Sequence, residues 1–375
     1  MDMIFTIGIF ASLFFFILLL SKKNKSLPDS ILAIWMLVIA IHLSNFYIYS
    51  KGYWEIYPHL IGITAPFPFF YGPMLYLYIR YSIKNDQRLS WQDYLHFLPI
   101  VLTYLYMIRF YFFYTAEQKR MVDQGLVDDF STFSNILVIG FVVAAITYAI
   151  LSFRLLKRYQ NLIEENFSNP EHINLNWLRS FIWGVALIFL TVTIVLISQD
   201  VLGMTYPFAP DYIFYSMIIF AILSLGYFGI RHENIFTDNE VVEVTEKSRA
   251  TYQKSSLKED MGKEKHRELI RLVETDKPYL ESDLTLNTLA DRLDIPLHHL
   301  SQIINQFEEQ NFNDFINKYR VEEFIKRASR DRHLSFLAIA LDSGFNSKST
   351  FNAVFRKHKG MTPTQYMTSQ QVDTH

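Results

Sequence analysis

Residues 339–363 read IALDSGFNSKSTFNAVFRKHKGMTP, and this stretch decides how the C-terminal part of the chain folds. An apolar helical run ends at DSGF, where Gly344 suits a turn that needs a positive φ. Helical spacing then resumes with Phe351, Val354 and Phe355 facing inward, and Ser347 is well placed to cap the new helix. A helix, a short turn and a second helix are expected over about 335–358.

The same pattern stands once more upstream. LTLNTLA from Leu284 matches LSFLAIA from Leu334 at a constant offset, pairing Thr285 with Ser335, Leu286 with Phe336, Leu289 with Ile339 and Ala290 with Ala340. Such a repeat implies two copies of one supersecondary unit. In the first copy LDIP turns the chain into LHHLSQIINQF, with Leu297, Leu300, Ile304 and Phe307 on one face, so that this unit covers about 285–307. Thr285 and Ser335 cap the leading helices, and the small Ala290 and Ala340 allow the second helix of each unit to cross closely. FNDFINKYRVEEFIKRAS, at about 312–329, carries Phe312, Phe315, Ile316, Tyr319, Phe324, Ile325 and Ala328 at helical spacing, which reads as one helix connecting the two units.

Charge divides the two units. Between 318 and 360 ten basic residues face four acidic ones, a local balance of +6. Between 259 and 314 thirteen acidic residues face six basic ones, a balance of -7. Phosphate affinity is therefore expected mainly from the second unit, although the whole chain carries only -2.

The chain before residue 231 follows a different rule. Runs of about 20 apolar residues, the length that crosses a bilayer, fall at 3–20, 31–50, 58–80, 93–114, 134–156, 178–202 and 208–230. Lys22, Lys23, Lys25, Arg80, Lys84, Arg88, Arg154, Lys157, Arg158, Arg179 and Arg231 all lie in alternate connections, which places that side in the cytoplasm and the N-terminus outside. The first run is not a cleaved leader, because no Lys or Arg precedes it. Pro66, Pro68, Gly72 and Pro73 interrupt helix hydrogen bonding in the third run, a candidate hinge. His42, Asn45, His59, His96 and Asp200 are scattered singly and receive no chemistry. Residues 232–258 are polar and read as a cytoplasmic linker.

Absence narrows the function. With no cysteine the chain has no thiolate metal site or cysteine nucleophile, and no HExxH or similar motif is present. No catalytic residue, metal or cofactor is expected.

Residues from about 260 to 367 resemble the DNA-binding domain of the AraC/XylS family, on LTLNTLADRL, LSQIIN, FINKYRVEE and IALDSGFNSKSTFNAVFRKHKGMTPTQY. The whole chain, with YGPMLYLYI in the third run, resembles the membrane-anchored branch in which seven N-terminal helices precede this domain. The resemblance implies an all-α protein: a seven-helix transmembrane sensor bundle over 1–231, the linker, and a DNA-binding domain over 259–375 with two helix-turn-helix motifs. The second helices would enter successive major grooves of promoter DNA. His298, Ser301 and Gln302 from the first unit and Lys348, Ser349 and Thr350 from the second would approach bases, with Asn352, Arg356 and Lys357 beside them. Ala290, Leu300, Ala340, Gly344, Phe345, Ser347, Phe351, Phe355 and Pro363 would hold the motifs together. Two positions depart from the family pattern: Pro296 replaces a usual capping Ser, and Ala353 replaces a frequent base-reading Arg.

These features describe a one-component regulator in the bacterial inner membrane that takes a small-molecule or envelope signal, acts on double-stranded DNA and pairs as a homodimer. The rival reading is a transporter or receptor whose C-terminal tail regulates its own gene or docks a protein.

Overall fold

The structure is a computed structural model that describes residues 2–23, 25–83, 88–168, 176–198, 203–206, 211–231, 259–331 and 333–372. The linker at 232–258, together with Lys84, Asp200 and Arg332, lies outside the described residues. The described elements are helical, and the sole strand-like pairing among them is a single antiparallel bridge between Phe167 and Thr285.

Packing divides the chain into two units, one made of 1–157 with 175–236 and the other of 158–174 with 237–375. The first contains α1 (Asp2–Leu20), α2 (Leu27–Ser50), the short α3 (Tyr53–Ile56), α4 (Pro68–Ile83), α5 (Leu98–Tyr106), α6 (Ile108–Phe113), α7 (Ala116–Asp123), most of α8 (Ser131–Asn166), α9 (Asn176–Leu196) and α10 (Asp211–Arg231). Helix α2 packs on α1 and α4, and α10 packs on α1 and α9. Gly8 marks the closest approach: a Cβ there would meet Ile219 at 2.6 Å and Leu43 at 3.1 Å, so α1, α2 and α10 converge on it.

Among the described residues, five stretches are long and apolar enough to cross a membrane: Met3–Leu20, Leu27–Ser50, Trp91–Phe113, Ser131–Asn166 and Leu178–Val195. In α10 the described apolar stretch is Tyr215–Ser224. The expected third span at 58–80 is not one continuous helix. Turns occupy 61–67, Gly62 takes φ +75°, and α4 starts only at Pro68 with Pro73 inside it. Pro66 precedes that start, and Gly72 lets α4 approach α8, since a Cβ there would lie 2.6 Å from the Tyr148 ring.

Several polar residues of this unit pair with one another across elements. Asn45 donates to Thr64 Oγ1 at 2.8 Å, and the Tyr71 hydroxyl lies 2.5 Å from His42 Nδ1. His96 Nδ1 lies 2.9 Å from the Tyr148 hydroxyl. A small cap built on Ile61, Met107 and Phe110 encloses Lys119, whose ammonium donates to the Tyr111 carbonyl at 2.9 Å and lies 3.1 Å from His59 Nδ1.

The second unit adds α11 (Glu259–Thr275), α12 (Leu286–Arg292), α13 (Leu297–Glu308), α14 (Phe312–Arg330), α15 (Phe336–Asp342), α16 (Lys348–Lys359) and α17 (Pro363–Val372). Two adjoining cores fill it. Leu269, Leu289, Ala290, Leu300, Ile304 and the start of α14 make one, and the later turns of α14 with Ile339, Ala340, Phe351, Phe355 and Met367 make the other. Helix α14 thus belongs to both cores.

Candidate nucleic-acid interface

Each helix pair is built by the same local chemistry. Thr285 caps α12 by accepting from Thr288 N at 3.1 Å, and Ser335 caps α15 by accepting from Ala338 N at 3.2 Å. The turns that follow share the same backbone hydrogen-bond pattern. Ile295 N donates to the Ala290 carbonyl at 3.2 Å in one, and Phe345 N donates to the Ala340 carbonyl at 3.1 Å in the other. Asp294 and Gly344 hold the matching positive-φ positions, at +49° and +92°. Asp tolerates the left-handed region, but at 344 a Cβ would lie 2.2 Å from the Tyr279 carbonyl oxygen, so only Gly fits there.

The second helices differ at their starts. Ser347 caps α16 by accepting from Thr350 N at 3.1 Å, whereas Pro296 precedes α13 with no side-chain cap. Leu300, Phe345, Phe351, Phe355 and Pro363 are buried, as are Ala290 and Ala340. These contacts fix which face of each second helix points away from the cores.

On α16 that face carries Lys348, Ser349, Asn352, Ala353, Arg356 and Lys357, all exposed, with Thr350 half-buried beside them. On α13 it carries His298, Ser301 and Gln302, each half-buried, with the His298 ring 4.2 Å from that of His299. Lys348 and Arg356 form no ion pair among the described residues. Lys357 and Lys359 do, with Asp314 at 2.5 Å and Glu322 at 2.6 Å, both on α14. Burial lowers the His358 imidazole below its usual range, so this member of α16 adds no positive charge at neutral pH. The cationic surface offered to a polyanion is therefore narrower than the charge count implies, and Lys348 and Arg356 stand at its centre.

Sequence reasoning counted Arg320 with the surface cations, yet it is 1% exposed. Its Nε donates to the Tyr279 carbonyl at 2.8 Å and one terminal nitrogen to the Glu281 carbonyl at 2.7 Å. Burial pulls the guanidinium down to about 10, still protonated at neutral pH. Nearby, burial alone would raise the Glu323 carboxyl, but hydrogen bonds from Arg327 at 2.8 Å and Lys277 at 3.3 Å hold it below the usual carboxylate value. The candidate hinge residues Pro66, Pro68, Gly72 and Pro73 fall in the other packing unit.

Comparison with known proteins places the same segment. A helix-turn-helix domain family matches residues 289–369. A probable transcription factor, PqrA of Proteus vulgaris, is 30% identical over 93 residues, which is 24% of this chain and 75% of that protein. The melibiose operon regulatory protein of Escherichia coli K12 is 30% identical over 83 residues, 22% of this chain and 27% of that protein, so the chain spans about a quarter of this relative's length. No solved structure matches the chain.

Proposed function

The chain belongs to the AraC family of helix-turn-helix transcription regulators, and from that premise we propose that it is a membrane-bound one-component regulator. The two units over 285–307 and 335–358 read promoter DNA, and the bundle before residue 231 receives a small-molecule or envelope signal. Helix α14, 19 residues and so about 28 Å long, is commensurate with the ~34 Å repeat that separates successive major-groove faces. His298, Ser301, Gln302, Lys348, Ser349, Thr350 and Asn352 are assigned to bases, and Arg356 and Lys357 to phosphates.

The observation that carries the membrane half is the outer surface of the first unit. Exposed apolar residues recur at helical spacing over several turns: Met3, Ile7, Phe10, Phe14 and Ile17 on α1, Ile136, Ile139, Val143, Ile146 and Ile150 on α8, and Trp183, Leu187, Leu190 and Ile194 on α9. Contiguous apolar stripes of this size are unstable against water and stable against lipid. Seven crossings, an N-terminus outside and a C-terminal unit in the cytoplasm complete the proposal, with a second copy of the chain as a partner.

Membrane vesicles of known sidedness test both halves together. Inside-out vesicles carrying the full chain should capture promoter-sized DNA in a salt-sensitive way, and right-side-out vesicles should capture none. Equal capture by both, or by neither, would overturn the reading.

A further inference from the structure

A buried guanidinium needs all its N–H groups satisfied, because each one left unpaired costs about as much as a lost charged hydrogen bond. Within residues 237–375, the Tyr279 and Glu281 carbonyls, with Asn317 Oδ1 at 3.4 Å, satisfy only part of Arg320. The remainder is supplied by Ser168, 152 residues earlier in the chain: the Ser168 carbonyl accepts at 3.1 Å and its hydroxyl at 3.0 Å. Two turns earlier on the same face of α14, Asn313 donates to the carbonyls of Phe167 at 3.1 Å and Ser168 at 3.0 Å. Asn317 lies between them and donates to Asn313 Oδ1 at 3.0 Å, aligning that amide.

The dipeptide is held from its other side as well. Ser168 N donates to the Leu284 carbonyl at 3.2 Å, and Phe167 bridges to Thr285, the cap of α12. Arg320 also adjoins the second reader, since a Cβ on Gly344 would come within 2.9 Å of its Nε. One side chain therefore joins Ser168, the loop before the first helix pair and the turn of the second pair.

Ser168 lies just past the end of α8, a single 36-residue helix. The division between packing units falls inside that helix, after residue 157. We propose that residues 158–168 are a docking arm: α8, one of the apolar helices, extends directly into the DNA-binding unit, and the docked arm fixes the two readers through Arg320 and Asn313. Withdrawal of the arm leaves Arg320 short of partners, loosens the readers relative to each other and weakens DNA binding. This rests on the regulator reading above, and it makes α8 rather than the 232–258 linker the route by which the bundle acts.

Because the chain has no native cysteine, the arm can be tested in full-length protein in native membranes. Ser168→Cys with Asn313→Cys should be joined efficiently by a short bismaleimide. Ser168→Cys with Ser329→Cys, about 24 Å further along α14, should not. DNA affinity is then read on a fragment captured by the unmodified chain. The uncrosslinked pair and Asn313→Ala should each bind about tenfold more weakly, and crosslinking the pair should restore affinity. Crosslinking no better than the control pair overturns the docking arm. Efficient crosslinking with affinity unchanged in every form shows a merely structural contact and overturns its role. Failure of the unmodified chain to capture DNA refutes the regulator reading instead, whatever the crosslink shows.

Discussion

Asp294 and Gly344 occupy the same place in two turns that share their hydrogen bonds, yet one unit accepts a side chain there and the other does not. The difference comes from surroundings: the second turn lies against the Tyr279 carbonyl and Arg320. The same contrast runs through the rest of the two units. The first lacks a side-chain cap on its second helix and sits in acidic sequence, while the second is capped by Ser347 and presents Lys348 and Arg356. Duplicated local chemistry thus gives one geometry twice, while the surfaces of the two units differ in charge and capping.

The largest effect is expected at the two turns. Gly344→Ala should destabilise the second unit by about 2–4 kcal/mol, because both the φ and the close carbonyl oppose a Cβ. Asp294→Gly should stay within about 1 kcal/mol of the parent. Pulse proteolysis of the full chain across a urea series reads both.

Charge comes next. Lys348→Glu combined with Arg356→Glu should lower the salt slope of DNA binding by about 2 and leave the unfolding midpoint unchanged. His298→Ala should keep the slope and alter which sequences are captured. An unchanged slope in the double variant would mean that phosphate contacts lie elsewhere.

The caps sharpen the contrast at smaller scale. Ser347→Ala should cost about 1 kcal/mol, and Pro296→Ser should stabilise α13 by up to about 1 kcal/mol by supplying the missing acceptor. Destabilisation by Pro296→Ser would show that the fixed φ of proline matters more there than an acceptor.

Smallest is a pH effect at Glu323. Its lowered folded-state pKa means that its contribution is fully present above the ordinary carboxylate value and is lost as pH falls through the folded one. Glu323→Gln should therefore flatten the acid limb of stability below about pH 4.5 and remove part of the stability at neutral pH. An unchanged acid limb would mean that the ion pairs with Arg327 and Lys277 contribute nothing.

Much of the second unit was legible because its determinants are local: 3.6-residue periodicity, Ser and Thr caps, and a Gly in a turn. What the sequence hid depends on long-range contacts. Lys357 and Lys359 read as part of a basic run, and only the fold brings Asp314 and Glu322 to them. Arg320 reads as one more surface cation, and no periodicity connects it to Ser168. In the first unit the interruption of the run at 58–80 was legible in Pro66, Pro68, Gly72 and Pro73, and only the positive φ of Gly62 and the start of the helix at Pro68 had to come from the structure. The burial of Lys119 against His59 and Tyr111 likewise arises from elements far apart in sequence.

One full chain is expected to read DNA sequence through two unequal units. Selection of bound fragments from a random genomic pool by the full chain in lipid nanodiscs, followed by rebinding at several salt concentrations, tests it most directly. The expected result is a two-box motif with centres about one helical turn apart, steep salt dependence, and loss of capture in the Lys348→Glu, Arg356→Glu variant. Weak binding without sequence preference, unchanged in that variant, would contradict it.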